Sequence, residues 1–130
     1  MDIKRNQIYE MDCMEVLQSL PAGSVDLIIA DPPYYHMKGT FDFVFDSIPQ
    51  YLEWCSAWVA ECYRILKPAG AFYCWGSCQM IDKLSVHVFD EFGWTKRNLI
   101  VWNFATGRPG KAFYRHETEF MWFYSNPLHE

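Results

Sequence analysis

The run Val25–Ala30, apolar except for Asp26, ends on two consecutive prolines, and nothing else constrains the fold as much. A short apolar run bounded by breakers reads as a strand buried in a parallel sheet. Pro32 and Pro33 stop that strand, because each fixes φ and lacks an N–H. Asp31-Pro32-Pro33-Tyr34 therefore sits at the carboxyl end of a strand, where open α/β sheets place their ligands. The loop offers carbonyl oxygens, a carboxylate on one side and an aromatic ring on the other. Such a set suits a planar base with an exocyclic amino group: acceptors for the amino hydrogens and a ring to stack on. An ordinary strand-ending turn uses the same residue types, since Asp-Pro and Pro-Pro are common turn signals.

Strands and helices alternate along the chain. Residues 7–11 read as a short strand, residues 13–20 as a helix, and Pro21-Ala22-Gly23-Ser24 as a turn. Tyr51, Leu52, Cys55, Trp58, Val59, Cys62, Ile65 and Leu66 recur at helical spacing and predict a helix over residues 48–66. Ser47, Pro49 and Gln50 supply a capping box with proline in the first turn, and Pro68 and Gly70 close the helix. A strand over 71–75, a helix over 78–92 and strands over 97–104 and 117–124 follow. The last two are joined by a loop, as an antiparallel pair would be. The fold class is α/β with a mixed sheet.

At 130 residues the chain is long enough for one small domain. Aromatics make up 18% of it, which implies either a rich core or a surface that another polypeptide covers. Cys13, Cys55, Cys62, Cys74 and Cys78 read as reduced thiols of a cytoplasmic protein, with Cys55 and Cys62 in the core. Cys74 and Cys78 have neither a second pair nor a nearby His to make a zinc site. There is no apolar run of membrane-spanning length, and the polar start does not read as a secretory leader. A net charge of −5 argues against a broadly basic nucleic-acid surface. The basic residues gather late, at Lys96, Arg97, Arg108, Lys111 and Arg115. The loop over 106–114 could reach phosphate or be a solvated hairpin loop.

Five segments share an order and spacing with a known family. They are Met11-Asp12-Cys13, Asp31-Pro32-Pro33-Tyr34, Arg64-Ile65-Leu66-Lys67-Pro68-Ala69-Gly70-Ala71-Phe72, Ile100-Val101-Trp102-Asn103 and Arg115-His116-Glu117. Together, over about residues 7–125, they resemble the beta class of DNA amino-methyltransferases. Those enzymes methylate adenine N6 or cytosine N4 with S-adenosyl-L-methionine. Related Asn-Pro-Pro-Tyr loops serve ribosomal RNA and protein-glutamine methyltransferases. The resemblance implies a partial Rossmann-like methyltransferase fold with an antiparallel strand pair at its C-terminal end. It implies catalytic roles for Asp31, Pro32, Pro33 and Tyr34, and cofactor contacts from Asp12, Cys13 and Asp31. Asp12 would accept from the cofactor adenine amino group, or cap the following helix, or both. Tyr35 stands where many relatives have Asn. His36 is either a base or an exposed loop residue. His116 and Glu117 match a family pattern or form a strand-start ion pair.

The family also carries a Phe-x-Gly-x-Gly-like loop, and no such loop occurs here. Residues 1–130 are accordingly expected to be a single, partial catalytic domain. The expected function is methylation of adenine N6 in double-stranded DNA, within a restriction-modification setting. Asp as the first motif residue favours adenine; cytosine N4, or an inactive DNA- or partner-binding fragment, is the alternative. The family sheet runs third, second, first, fourth, fifth, seventh, sixth. Segment 7–11 would then lack neighbours, and Val25–Ala30 would become an apolar edge. A second polypeptide or a homo-oligomer is expected to complete the sheet.

Overall fold

A computed structural model describes residues 4–35, 45–103 and 118–125. The elements are α1 (Cys13–Ser19), β1 (Val25–Ala30), α2 (Ile48–Ile65), β2 (Leu66–Gly76), α3 (Ile81–Leu84), a π-helical turn (Ser85–Phe89), β3 (Thr95–Asn103) and β4 (Thr118–Ser125). His36, Arg108, Lys111, Arg115, His116, Glu117 and the loop over 106–114 lie outside the described residues.

The sheet order is β1-β2-β4-β3, with β1 parallel to β2 and the other two pairings antiparallel. This is the expected mixed sheet with its antiparallel pair, and it reproduces the family order fourth, fifth, seventh, sixth. α2 starts where Ser47 accepts a hydrogen bond from Gln50 N at 3.3 Å, with Pro in the first turn. The Gln50 side chain returns to Asp46 N at 2.7 Å, one residue before the cap. Tyr51, Cys55, Trp58, Val59, Cys62 and Ile65 form its buried stripe. Each such side chain contributes roughly 1.5–3 kcal/mol by leaving water. All but Ile65 form one core cluster with Phe72, Cys74 and Tyr124, which share one face of the sheet by register. Phe89 stacks on Tyr124 at 4.1 Å and closes the core from the π-helical side.

Four expectations need correction. Residues 7–11 form no strand, and Ile8 is 99% exposed. A strand needs a ladder, and this segment pairs with none of the described strands. β1 is parallel but not the buried strand its apolar run suggests; it is the apolar edge that the family strand order implies, with Leu27 51% and Ile29 66% exposed. The helix expected over 78–92 is confined to 81–89, its second half winds as a π-turn, and Cys78 lies in a preceding turn. β2 begins five residues earlier than expected, at Leu66, and runs through Pro68 and Gly70. The irregularity between Val25 and Leu27 absorbs Lys67-Pro68-Ala69-Gly70, so the proline falls where the ladder is already broken. Gly70 is required there, because a Cβ would come within 2.5 Å of Leu66 Cγ and 2.9 Å of Lys67 O.

Candidate active site

Local chemistry positions the site residues. Asp12 caps α1, accepting from Met14 N at 2.8 Å, and so stands at the helix entrance. α1 is then held to α2 by Arg64. Its guanidinium donates to the carbonyls of Leu20 and Leu17, both at 2.9 Å, while Glu61 pairs with it at 2.7 Å. One arginine thus ties the C-terminal end of α1 to α2 through the Leu17 and Leu20 carbonyls.

Between α1, α2 and the end of β1 lies a cavity of about 600 Å³. Asp12 and Cys13 line one side of it, and Asp31, Pro32 and Pro33 another. Its walls are apolar, supplied by Ile28, Ala30, Trp54 and Trp58. Five of the six site residues read from the sequence therefore meet around one space. Tyr34 is not among its lining residues. Its hydroxyl donates toward the Asp31 carboxylate. Burial, then the charges of Asp31 and Glu119, push the Tyr34 phenol well above its ordinary value, so it remains a neutral donor. Asp31 is exposed, Pro32 buried, and Pro33 and Tyr34 half-buried. Partial desolvation, then Asp12, raises the Cys13 thiol, which keeps it protonated rather than nucleophilic.

Sequence reasoning missed the aromatic wall and Glu119. Trp54 and Trp58 occupy adjacent turns of α2 with ring centroids 6.2 Å apart. Helical periodicity places Trp58 in the core correctly, but it cannot say that the stripe also borders a cavity. Tyr9 lines the cavity too, held by Lys4 N donating to its hydroxyl at 2.7 Å. Of the late basic residues, Lys96 pairs with Asp90 at 3.1 Å and Arg97 donates to Ser125 at 2.8 Å, so both are engaged inside the fold.

Comparison with known proteins agrees with this geometry. A family described as DNA methylase matches residues 25–129. Type II methyltransferase M.BglII of Bacillus subtilis is 34% identical over 135 residues, covering 94% of this chain and 36% of its own. DNA adenine methyltransferase YhdJ of Escherichia coli (strain K12) is 32% identical over 106 residues, covering 79% of this chain and 35% of its own. Among solved structures, PvuII DNA methyltransferase (cytosine-N4-specific) superposes with a TM-score of 0.75 at 18% identity, over 90% of this chain and 48% of that one. The chain thus spans about a third of the length of these curated relatives and about half of that solved structure. With Asp31-Pro32-Pro33-Tyr34 at the end of β1, its strand order and its match over residues 25–129, the chain belongs to the DNA methylase family, in the beta class of amino-methyltransferases.

Proposed function

We propose that this chain carries the target-amino half of an S-adenosylmethionine-dependent DNA methyltransferase acting on adenine N6. The observation that carries the reading is that Asp31 both lines the cavity and accepts from the Tyr34 hydroxyl. That arrangement gives one carboxylate access to two ligands at once.

The cavity suits part of an adenosyl cofactor. Its volume falls within the range of small-molecule sites, its walls are apolar, and Asp12 supplies an acceptor at the rim. Asp12, Cys13 and Asp31 would hold the cofactor, which supplies an activated methyl group when bound. The glycine-rich segment that approaches its methionine part would come from outside these 130 residues. We propose that the same complement, a second polypeptide or a second copy, pairs with the open edge of β1.

The chain's own residues then act on the base. An exocyclic amino nitrogen is a poor nucleophile, because its lone pair delocalises into the ring. Hydrogen bonds from that amino group to the Asp31 carboxylate and the Pro32 carbonyl draw it toward a tetrahedral form. Positioning and electrostatics provide most of the rate enhancement. Tyr34 stacks on the base after it leaves the duplex.

The test is transfer of labelled methyl to plasmid DNA by the chain with its complement, followed by nucleoside analysis. N6-methyladenine is expected; N4-methylcytosine would transfer the same mechanism to the other base, and no methylated nucleoside would remove the reading. Asp31→Ala is expected to abolish transfer while the circular dichroism spectrum stays unchanged, since an exposed loop carboxylate does little packing. Tyr34→Ala should slow the reaction by about tenfold or more, and Tyr34→Phe by less, because stacking on one base is worth roughly 1–3 kcal/mol and survives in Phe, while only the hydroxyl's bond to Asp31 is lost.

A further inference from the structure

We propose that Glu119 is a second carboxylate of the target-amino site, acting with Asp31 on the nitrogen that receives the methyl group. This rests on the function proposed above. No motif marks Glu119; the sheet brings it there. Because β4 runs antiparallel to β2, the start of β4 lies at the carboxyl end of the parallel strands. Phe120 pairs with Gly76, the last residue of β2, so Glu119 lies one step beyond it, at the end of the sheet where Asp31 emerges from β1.

Three further observations support the assignment. Glu119 pairs in register with Trp102, and Trp102 meets Trp75 edge-on at 5.9 Å, which puts all three on one face. Trp102 is 54% exposed, so this corner presents aromatic surface next to a carboxylate. The charge of Glu119 reaches the Tyr34 hydroxyl, as does that of Asp31. Finally, the ion pairs among the described residues are Arg64–Glu61, Lys67–Asp26 and Lys96–Asp90. None of them neutralises Glu119, although it is half-buried.

The chemistry gives such a residue work. As the amino lone pair forms the new N–C bond, the electron pair of the old C–S bond stays with sulfur. The nitrogen is then positive until one of its protons leaves to a carboxylate or to water. Two carboxylates at that end of the sheet stabilise the developing cation better than one. The same two charges oppose the approach of a phosphate backbone. Glu119 should therefore raise turnover and weaken DNA binding, and this pair of opposite effects distinguishes it from a residue that merely supports the fold.

The experiment uses the complete enzyme, this chain with its complement, and a duplex oligonucleotide containing the target adenine. Glu119→Gln, which keeps the shape, is expected to lower kcat by about tenfold. In fluorescence anisotropy the same variant should bind the duplex about twofold more tightly. An unchanged kcat, or a lower kcat with weaker binding, would overturn the assignment. If the wild-type enzyme methylates DNA while Glu119→Gln is indifferent, only the role of Glu119 fails. If the wild-type enzyme transfers no methyl group to DNA, the proposed function fails, and this inference with it.

Discussion

β1 and β2 are neighbours in one sheet, but their surroundings differ. β2 alternates: Phe72 and Cys74 are buried under α2 and the π-helical turn, while Tyr73 and Trp75 are half-buried on the opposite face. Tyr73 still finds a partner, stacking on Phe123 at 4.7 Å. β1 has a strand on one side only, and Leu27 and Ile29 face water. Both strands are largely apolar, β1 at all positions but Asp26. The difference is whether the described chain supplies a neighbour. β2 is flanked by strands on both sides and covered by helices on one face, so its stability is self-contained. β1 is held by one ladder, and its outer edge has no partner strand among the described residues.

That contrast can be tested at three strengths. The largest effect is expected from Phe72→Ala. Phe72 is fully buried and touches the rings of Trp58, Phe89, Trp94 and Tyr124. Truncation should cost about 4 kcal/mol in urea unfolding, and a loss below about 1 kcal/mol would mean that the core lies elsewhere. An intermediate effect is expected from Arg64→Ala. Loss of its bonds to Leu17 and Leu20 should cost about 1.5 kcal/mol and speed amide exchange in α1 more than in α2. Equal acceleration in both helices would show that α1 is not a separately clamped unit. The smallest effect on stability is expected from Leu27→Lys. It should stay within about 0.5 kcal/mol by the same unfolding assay, yet weaken assembly with the complement in size-exclusion chromatography. Destabilisation comparable to Phe72→Ala would make the edge part of the core after all.

The parts legible in the sequence are those where the chain carries both sides of an interaction. The stripe from Tyr51 to Ile65 on α2 can be read without knowing the fold, because its apolar residues recur at the helical period. Asp12, Cys13, Asp31, Pro32 and Pro33 were legible through motif order, and the structure gathers them around one cavity. Segment 7–11 misled because its mix of Ile8, Tyr9 and Met11 suits a strand, whereas a strand forms only by pairing with a neighbour. Pro68 misled because it reads as a stop, and only the register reveals an irregularity that accommodates it inside β2. Glu119 was invisible, since its importance comes from antiparallel pairing across a sheet and not from anything adjacent to it in sequence.

The order β1-β2-β4-β3 also has a consequence for how the molecule is made. β4 is the last described strand in sequence, yet it lies between β2 and β3. During synthesis β3 emerges before its native neighbour exists, and its native pairing waits until β4 follows and enters the gap. The helical layer of α2 on β2 can assemble before that moment. The far side of the sheet forms in a single late event, when one strand gains two neighbours at once. Closing that long-range pairing is the slow, exposed stage of folding, and a ribosome pausing before residue 118 would hold the chain in it.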